Sequence, residues 1–224
     1  MKHTIEQIVT EAGRIILGKE QQIRLALTCL LARGHLLIED LPGMGKTTLS
    51  HLLARLLGLN FQRIQFTSDL LPADILGISV YDRERNSFTF HPGPIFAQFI
   101  LADEVNRATP KTQSALLEAM EEQQVTIEGE TRPLTEPFFV IATQNPDHHI
   151  GTFPLPESQL DRFLMRIEMG YPDSTAERKL LRGSDRRDLL QTIHPVTSAS
   201  ELQQMQRQIP DTTVSDALLD YLQA

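Results

Sequence analysis

The chain has 224 residues and a mass of 25.3 kDa, with 41% hydrophobic and 22% charged residues, which suits one full domain plus part of a second and excludes wholesale disorder. A net charge of −8 argues against a protein whose main task is gripping nucleic-acid phosphates, so nucleic acid is not an expected partner. The one cysteine, Cys29, excludes an internal disulfide framework and a multi-cysteine zinc site; no apolar run reaches the roughly 18 residues of a membrane span and the start lacks a signal-peptide pattern, so a soluble cytoplasmic protein is expected.

In chain order, residues 3–33 read as helices split near Gly18, the second carrying Ile23, Leu27, Leu30 and Leu31 at helical spacing. Cys29 falls in this stretch and reads as a small core residue. The apolar run Leu36–Ile38 leads into a turn, Leu41-Pro42-Gly43-Met44-Gly45, and a helix from Lys46 that Gly58 ends. Phe61–Phe66 reads as a strand, and residues 78–82 with 87–90 as a hairpin. Phe99–Ala102 reads as a strand buried on both faces. Thr109 as N-cap and Pro110 in the first turn open a helix to about Gln123. A second small hairpin over 125–134, a buried strand at Phe138–Ala142 and another at Met165–Met169 follow. Strands alternating with helices imply a parallel sheet covered by helices. A boundary is placed at about residue 172; Ser174–Glu177 matches a capping box, and helical sequence runs to the end.

Between a predicted strand and helix, Gly45, Lys46 and Thr47 match the last three positions of the phosphate-loop pattern G-x-x-x-x-G-K-[ST]. Glycines let backbone N–H groups turn inward around a phosphate chain, and the helix N-terminus adds partial positive charge there. Lys46 is expected to neutralise the β- and γ-phosphates and Thr47 to offer its hydroxyl to Mg²⁺. Asp40 stands where the pattern has its first glycine, and a carboxylate there is expected to repel phosphate and weaken binding. Further on, the run Phe99–Ala102 ends in Asp103-Glu104: Asp103 is expected to hold the magnesium shell and Glu104 to orient and activate the attacking water. The strand Phe138–Ala142 ends in Thr143-Gln144-Asn145-Pro146, at the same edge of a parallel sheet. Asn145 could there position the water or contact the γ-phosphate, although an Asn before Pro is commonly a turn residue.

Taken together, Leu41–Thr47, Ala102-Asp103-Glu104-Val105-Asn106-Arg107-Ala108, Gln113–Glu122, Ala142–Pro146 and Leu155–Phe163 resemble, in order, the MoxR family of AAA+ ATPases over about residues 13–182. The resemblance implies an α/β fold: a three-layer αβα P-loop NTPase core with a parallel five-stranded sheet at 1–172, then a helical lid at 173–224. It implies ATP and Mg²⁺ as cofactors, bound between protomers of a homo-oligomeric ring, usually a hexamer. It implies a cofactor-binding set of Gly18 (against the adenine), Pro42, Gly43, Met44, Gly45, Lys46, Thr47 and Thr48, with Thr47 and Asp103 at the metal. Glu104, Asn145 (sensor 1) and Arg162 form the implied catalytic set, Arg162 as an arginine finger reaching into the neighbour's site and Arg107 a weaker candidate for that role. The hairpins near 78–90 and 125–134 resemble insertions that project toward a central pore and contact substrate. Protein clients, often beside a von Willebrand factor A domain protein, are the implied partners.

Three departures from the family pattern stand out. One is Asp40. A second is Asp147-His148-His149-Ile150, whose histidines could bind a metal, although neighbouring side chains in an extended loop point apart. The third is that the chain is expected to stop inside the lid, before a sensor 2 arginine, leaving Leu202, Met205 and Ile209 short of packing partners. Three functional readings follow: a remodelling ATPase, a nucleotide-binding switch or scaffold with little turnover, and a small-molecule kinase, which the Asp-Glu pair, Asn145 and Arg162 fit less well than water activation.

Overall fold

The structure, a computed structural model, describes residues 1–84, 86–146, 151–182 and 186–223. The first half runs α1 (Lys2–Ile15), α2 (Glu20–Leu31), β1 (Leu36–Glu39), α3 (Lys46–Leu56), β2 (Phe61–Gln65), α4 (Pro72–Leu76), β3 (Gly77–Asp82), β4 (Ser87–Pro92) and β5 (Phe99–Asp103). It continues α5 (Pro110–Glu122), β6 (Gln124–Ile127), β7 (Glu130–Pro133), β8 (Phe139–Gln144), α6 (Glu157–Leu160) and β9 (Met165–Ile167), then α7 (Ser174–Arg182), α8 (Arg186–Gln191), α9 (Ala199–Gln208) and α10 (Asp216–Gln223). Five strands form one parallel sheet in the order β2-β5-β8-β1-β9, and β3-β4 and β6-β7 are the two expected hairpins.

Alternation along the strands sorts the core into two layers. Leu36, Ile38, Phe99, Leu101, Phe139 and Ile141 pack on the face covered by α1, α2 and α3. Leu37, Ile100, Ala102, Val140 and Ala142 pack on the face covered by α4 and α5. Continued one step, the same period puts Asp103 and Thr143 on the α3 side of the sheet. The register Glu39↔Gln144 and Gln65↔Asp103 brings the strand ends to one edge. Cys29 is fully buried in this core, as expected, and burial pushes its thiol up to about 12.

His35, just ahead of β1, is buried between the two layers. Its Nδ1 accepts the Val140 N–H at 3.0 Å, and Nε2 donates to the Met120 carbonyl at 3.3 Å, with Phe138 and Phe139 against the ring. Burial drives its pKa from 6.5 down to about 4, so the native ring stays neutral while an unfolded one protonates. The stabilisation this represents is full above pH 6.5 and is lost as pH falls toward 4. Urea unfolding at pH 5 is expected to show roughly 2 kcal/mol less stability than at pH 7 from this group. A His35→Gln variant should lose that part of the slope, and an unaltered slope would clear His35 of it.

Three local expectations are corrected. The cap of α7 is Asp173, whose Oδ1 accepts the N–H groups of Thr175 and Ala176 at 2.8 and 2.7 Å, not Ser174. A capping box does exist at Ser198 and Glu201, opening α9. Thr109 precedes α5 as expected, but its hydroxyl pairs with the Thr112 hydroxyl at 3.2 Å and caps no N–H. The third correction concerns packing after residue 172. Leu190, Leu202 and Met205 are buried in the α1–α3 layer, and Ile209 packs against it. Gln206 Nε2 donates to the Leu30 carbonyl at 2.8 Å, and Arg55 Nη1 to the Leu190 carbonyl at 2.8 Å. Leu180 and Leu181 on α7 and Leu218, Leu219, Tyr221 and Leu222 on α10 are exposed.

Candidate nucleotide site

The turn between β1 and α3 is built around two left-handed residues, Gly43 (φ 85°) and Gly45 (φ 86°), where a side chain would be strained. Gly45 is the N-cap of α3, so the free N–H groups of the first helical turn open onto the same space as the loop amides. A hollow of about 270 Å³ lies there, lined by Pro42, Gly43, Gly45, Lys46, Thr47 and Thr48 from the loop, Asp103 and Glu104 from the end of β5, and Asn145 from the end of β8. The residues singled out for phosphate, metal and water thus converge, as parallel β1, β5 and β8 require.

Lys46 Nζ donates to the Asp40 carbonyl oxygen. Burial lowers the Lys46 pKa, and the charges of Asp40, Asp103 and Glu104 oppose that shift. The Asp40 side chain is held by the backbone on two sides. Its Oδ1 accepts the Leu41 N–H at 2.7 Å and its Oδ2 accepts the Gly170 N–H at 2.6 Å, so both oxygens are turned to backbone amides.

Asp103 is nearly buried and anchored through both oxygens. Oδ1 accepts the Thr143 hydroxyl at 2.6 Å; Oδ2 accepts Arg63 Nε and Nη2 at 3.1 and 2.7 Å. The Thr143 hydroxyl also accepts the Glu104 N–H at 2.9 Å, so one threonine sets both acids. Glu104 itself is left-handed (φ 58°), a strained conformation for a non-glycine residue and one that concentrates at active sites. Its Oε2 accepts Gln65 Nε2 at 3.0 Å and Arg107 Nη1 at 2.8 Å. Arg107, the weaker candidate for a role between subunits, is here a partner of Glu104 in its own chain.

Arg63, Gln65 and Thr143 are the residues that sequence reasoning missed. Arg63 and Gln65 stand two apart on β2, on the face where Gln65 pairs in register with Asp103. Their polarity within a predicted strand was the available signal, but it points to the acids only once β2 is known to neighbour β5. Asn145 lines the hollow, and its carbonyl accepts Asn106 Nδ2 at 3.2 Å.

A second hollow of about 240 Å³ adjoins the first and shares Gly43, Gly45 and Thr48 with it. Ile15, Ile16, Leu17, Lys19, Met44, Gly170, Pro172 and Leu180 complete its lining. Gly18 is not part of that lining; a Cβ added there would lie 3.1 Å from that of Ala176 near the start of α7. Arg162 follows α6, away from this chain's own hollow; its Nη1 donates to the Leu117 carbonyl at 2.9 Å and pairs with Glu121 at 2.6 Å. The ion pair weighed from sequence, with Asp161, is replaced by one reaching α5. The His148-His149 segment lies outside the described residues.

With this geometry in hand, three comparisons bear on the chain. The family described as the ATPase family associated with various cellular activities (AAA) matches residues 35–165. YeaC of Bacillus subtilis (strain 168), a protein without a described function, is 46% identical over 96% of this chain and 67% of its own length. Chaperone MoxR1 of Mycobacterium tuberculosis is 44% identical over 98% of this chain and 58% of its own length. A crystal structure from Cytophaga hutchinsonii, of a protein provisionally named an ATPase, superimposes with a TM-score of 0.87 at 41% identity, covering 98% of this chain and 66% of that one. The chain therefore spans 58 to 67% of the length of these relatives.

Proposed function

We propose, for a chain that belongs to the MoxR family of AAA ATPases, that it binds ATP and hydrolyses it to ADP and phosphate, and that the cycle remodels partner proteins in the manner of a chaperone. The observation that carries this reading is the convergence of Lys46 and Thr47 with Asp103, Glu104 and Asn145 on one hollow. Loop amides and Lys46 bind the phosphate chain. Among the described residues no three His, Cys, Asp or Glu side chains cluster to cage a metal, and Thr47 with Asp103 offers the two hard oxygen donors that suit Mg²⁺ shared with a phosphate chain. Held by Thr47 and Asp103, Mg²⁺ would supply charge neutralisation for the phosphate chain. Glu104 takes a proton from the attacking water, and Asn145 holds that water in line. Arg162 stabilises the transition state in a neighbouring protomer of a ring, a hexamer by family resemblance. The clients are proteins, and a von Willebrand factor A domain protein is the partner class the family suggests.

The test is phosphate release with and without Mg²⁺, set beside sedimentation with and without nucleotide. A Lys46→Ala variant is expected to lose ATP binding by roughly 100-fold, about two charge-assisted hydrogen bonds' worth. Wild-type calorimetry at millimolar ATP that registers no heat would end the proposal. A second reading, a nucleotide-binding switch with little turnover, is favoured by one feature: Glu104 is engaged by both Gln65 and Arg107. ATP binding without Mg²⁺-dependent phosphate release would select it.

A further inference from the structure

Asp40 occupies a position in the phosphate loop where the general pattern has glycine, and both oxygens of its carboxylate accept backbone amides. It spans from the loop to the chain segment that leaves β9 and enters α7. The short contact to the Gly170 N–H, 2.6 Å, is a charge-assisted hydrogen bond across 130 residues of sequence. The Oδ1 contact to the adjacent Leu41 N–H fixes the orientation of the carboxylate, so Oδ2 is aimed and not free to rotate.

The segment it grips forms part of the wall of the 240 Å³ hollow: Gly170 and Pro172 line it together with Ile15, Ile16 and Leu17. The same wall is tied from the other side, where Lys19 Nζ donates to the Tyr171 carbonyl at 2.7 Å. Immediately beyond, Asp173 caps α7. The hollow has a largely apolar lining and shares Gly43, Gly45 and Thr48 with the phosphate-loop hollow, which suits a heterocycle attached to a phosphate chain.

From this arrangement we propose that Asp40 is a positioning residue for the base of the nucleotide: it staples the 170–172 wall to the phosphate loop and so sets the width of the base slot. The proposal rests on the nucleotide reading above and adds a division of labour to it. Residues 43–47 read the phosphates; Asp40, through Gly170, holds the surface that reads the base.

The experiment compares ATP with inorganic tripolyphosphate, which has the same phosphate chain and no base. In Asp40→Asn one of the two carboxylate oxygens becomes an NH2 that can accept neither amide N–H, and the charge that strengthens the remaining contact is lost. In Asp40→Gly the acceptor is gone, while the loop keeps the general pattern's own residue and so remains foldable. Both variants should bind ATP about tenfold more weakly, the value of one charge-assisted hydrogen bond, with tripolyphosphate bound equally or more tightly. An unchanged ratio of the two affinities overturns the proposal. So does a parallel gain for both ligands, which would make Asp40 a simple phosphate repellent. Amide exchange at Gly170 without nucleotide supplies an independent readout: protection in the wild type that falls by tenfold or more in both variants supports the staple, and no protection in the wild type refutes it. Should wild type bind neither ligand, the nucleotide function falls and the Gly170 amide still decides whether the staple exists.

Discussion

A Glu104→Gln variant is expected to keep its ATP affinity within about twofold and to lose turnover by roughly 10² to 10³-fold, the usual contribution of a positioned general base. The substitution leaves the shape of the side chain, so Gln65 still has an oxygen to meet, and Asp103 and Thr143 are untouched. What disappears is the basic oxygen. The same site then holds ATP without cleaving it, which single-turnover phosphate release would show directly. Retention of more than a tenth of the wild-type rate would remove Glu104 from the role of base and move attention to the left-handed backbone that now holds it.

The second large effect is expected at Arg162. Arg162→Ala should lower turnover by about 10³-fold, the lower end of what an arginine finger supplies, with ATP affinity unchanged. In this chain alone the guanidinium is tied to Leu117 and Glu121 on α5, a partly exposed ion pair. Removing such a pair is expected to cost at most about 1 kcal/mol of stability. A structural role therefore shows as a small drop in Tm with turnover per folded molecule intact, and a role in the neighbour shows as lost turnover with Tm nearly unchanged. Mixing Arg162→Ala with Lys46→Ala protomers separates the cases further. Recovered hydrolysis would mean that one subunit's arginine serves the other's phosphate site; none would confine Arg162 to its own chain.

These two residues also mark the difference between local and long-range information. Lys46 and Thr47 could be placed because the phosphate loop is a contiguous device: glycines, a lysine and a helix start, all within a few residues. Asp103 and Glu104 were legible because an apolar strand ending in acids has a simple pattern. Arg63 and Gln65 were not, since on β2 they are merely two polar residues on an edge strand; their meaning comes from the register that sets Gln65 opposite Asp103. Arg162 lies between, readable as a residue type in a family context, whereas its partner Glu121 was supplied by the packing of α5 against the chain after α6.

By itself the sequence determined the strands of the sheet, the long helices between them, the two hairpins and the residues that converge on the candidate phosphate hollow, because hydrophobic period, glycine turns and short motifs act over a few residues. Which strand lies beside which, the anchoring of Asp103 and Glu104 through Thr143, Arg63, Gln65 and Arg107, and the turning of Asp40 toward Gly170 were decided only by tertiary structure. The reason is physical: a carboxylate takes the donors that the folded chain brings within 3 Å of it, and donors contributed by β2, β8 and the segment before α7 come from parts of the chain that nothing local relates to one another.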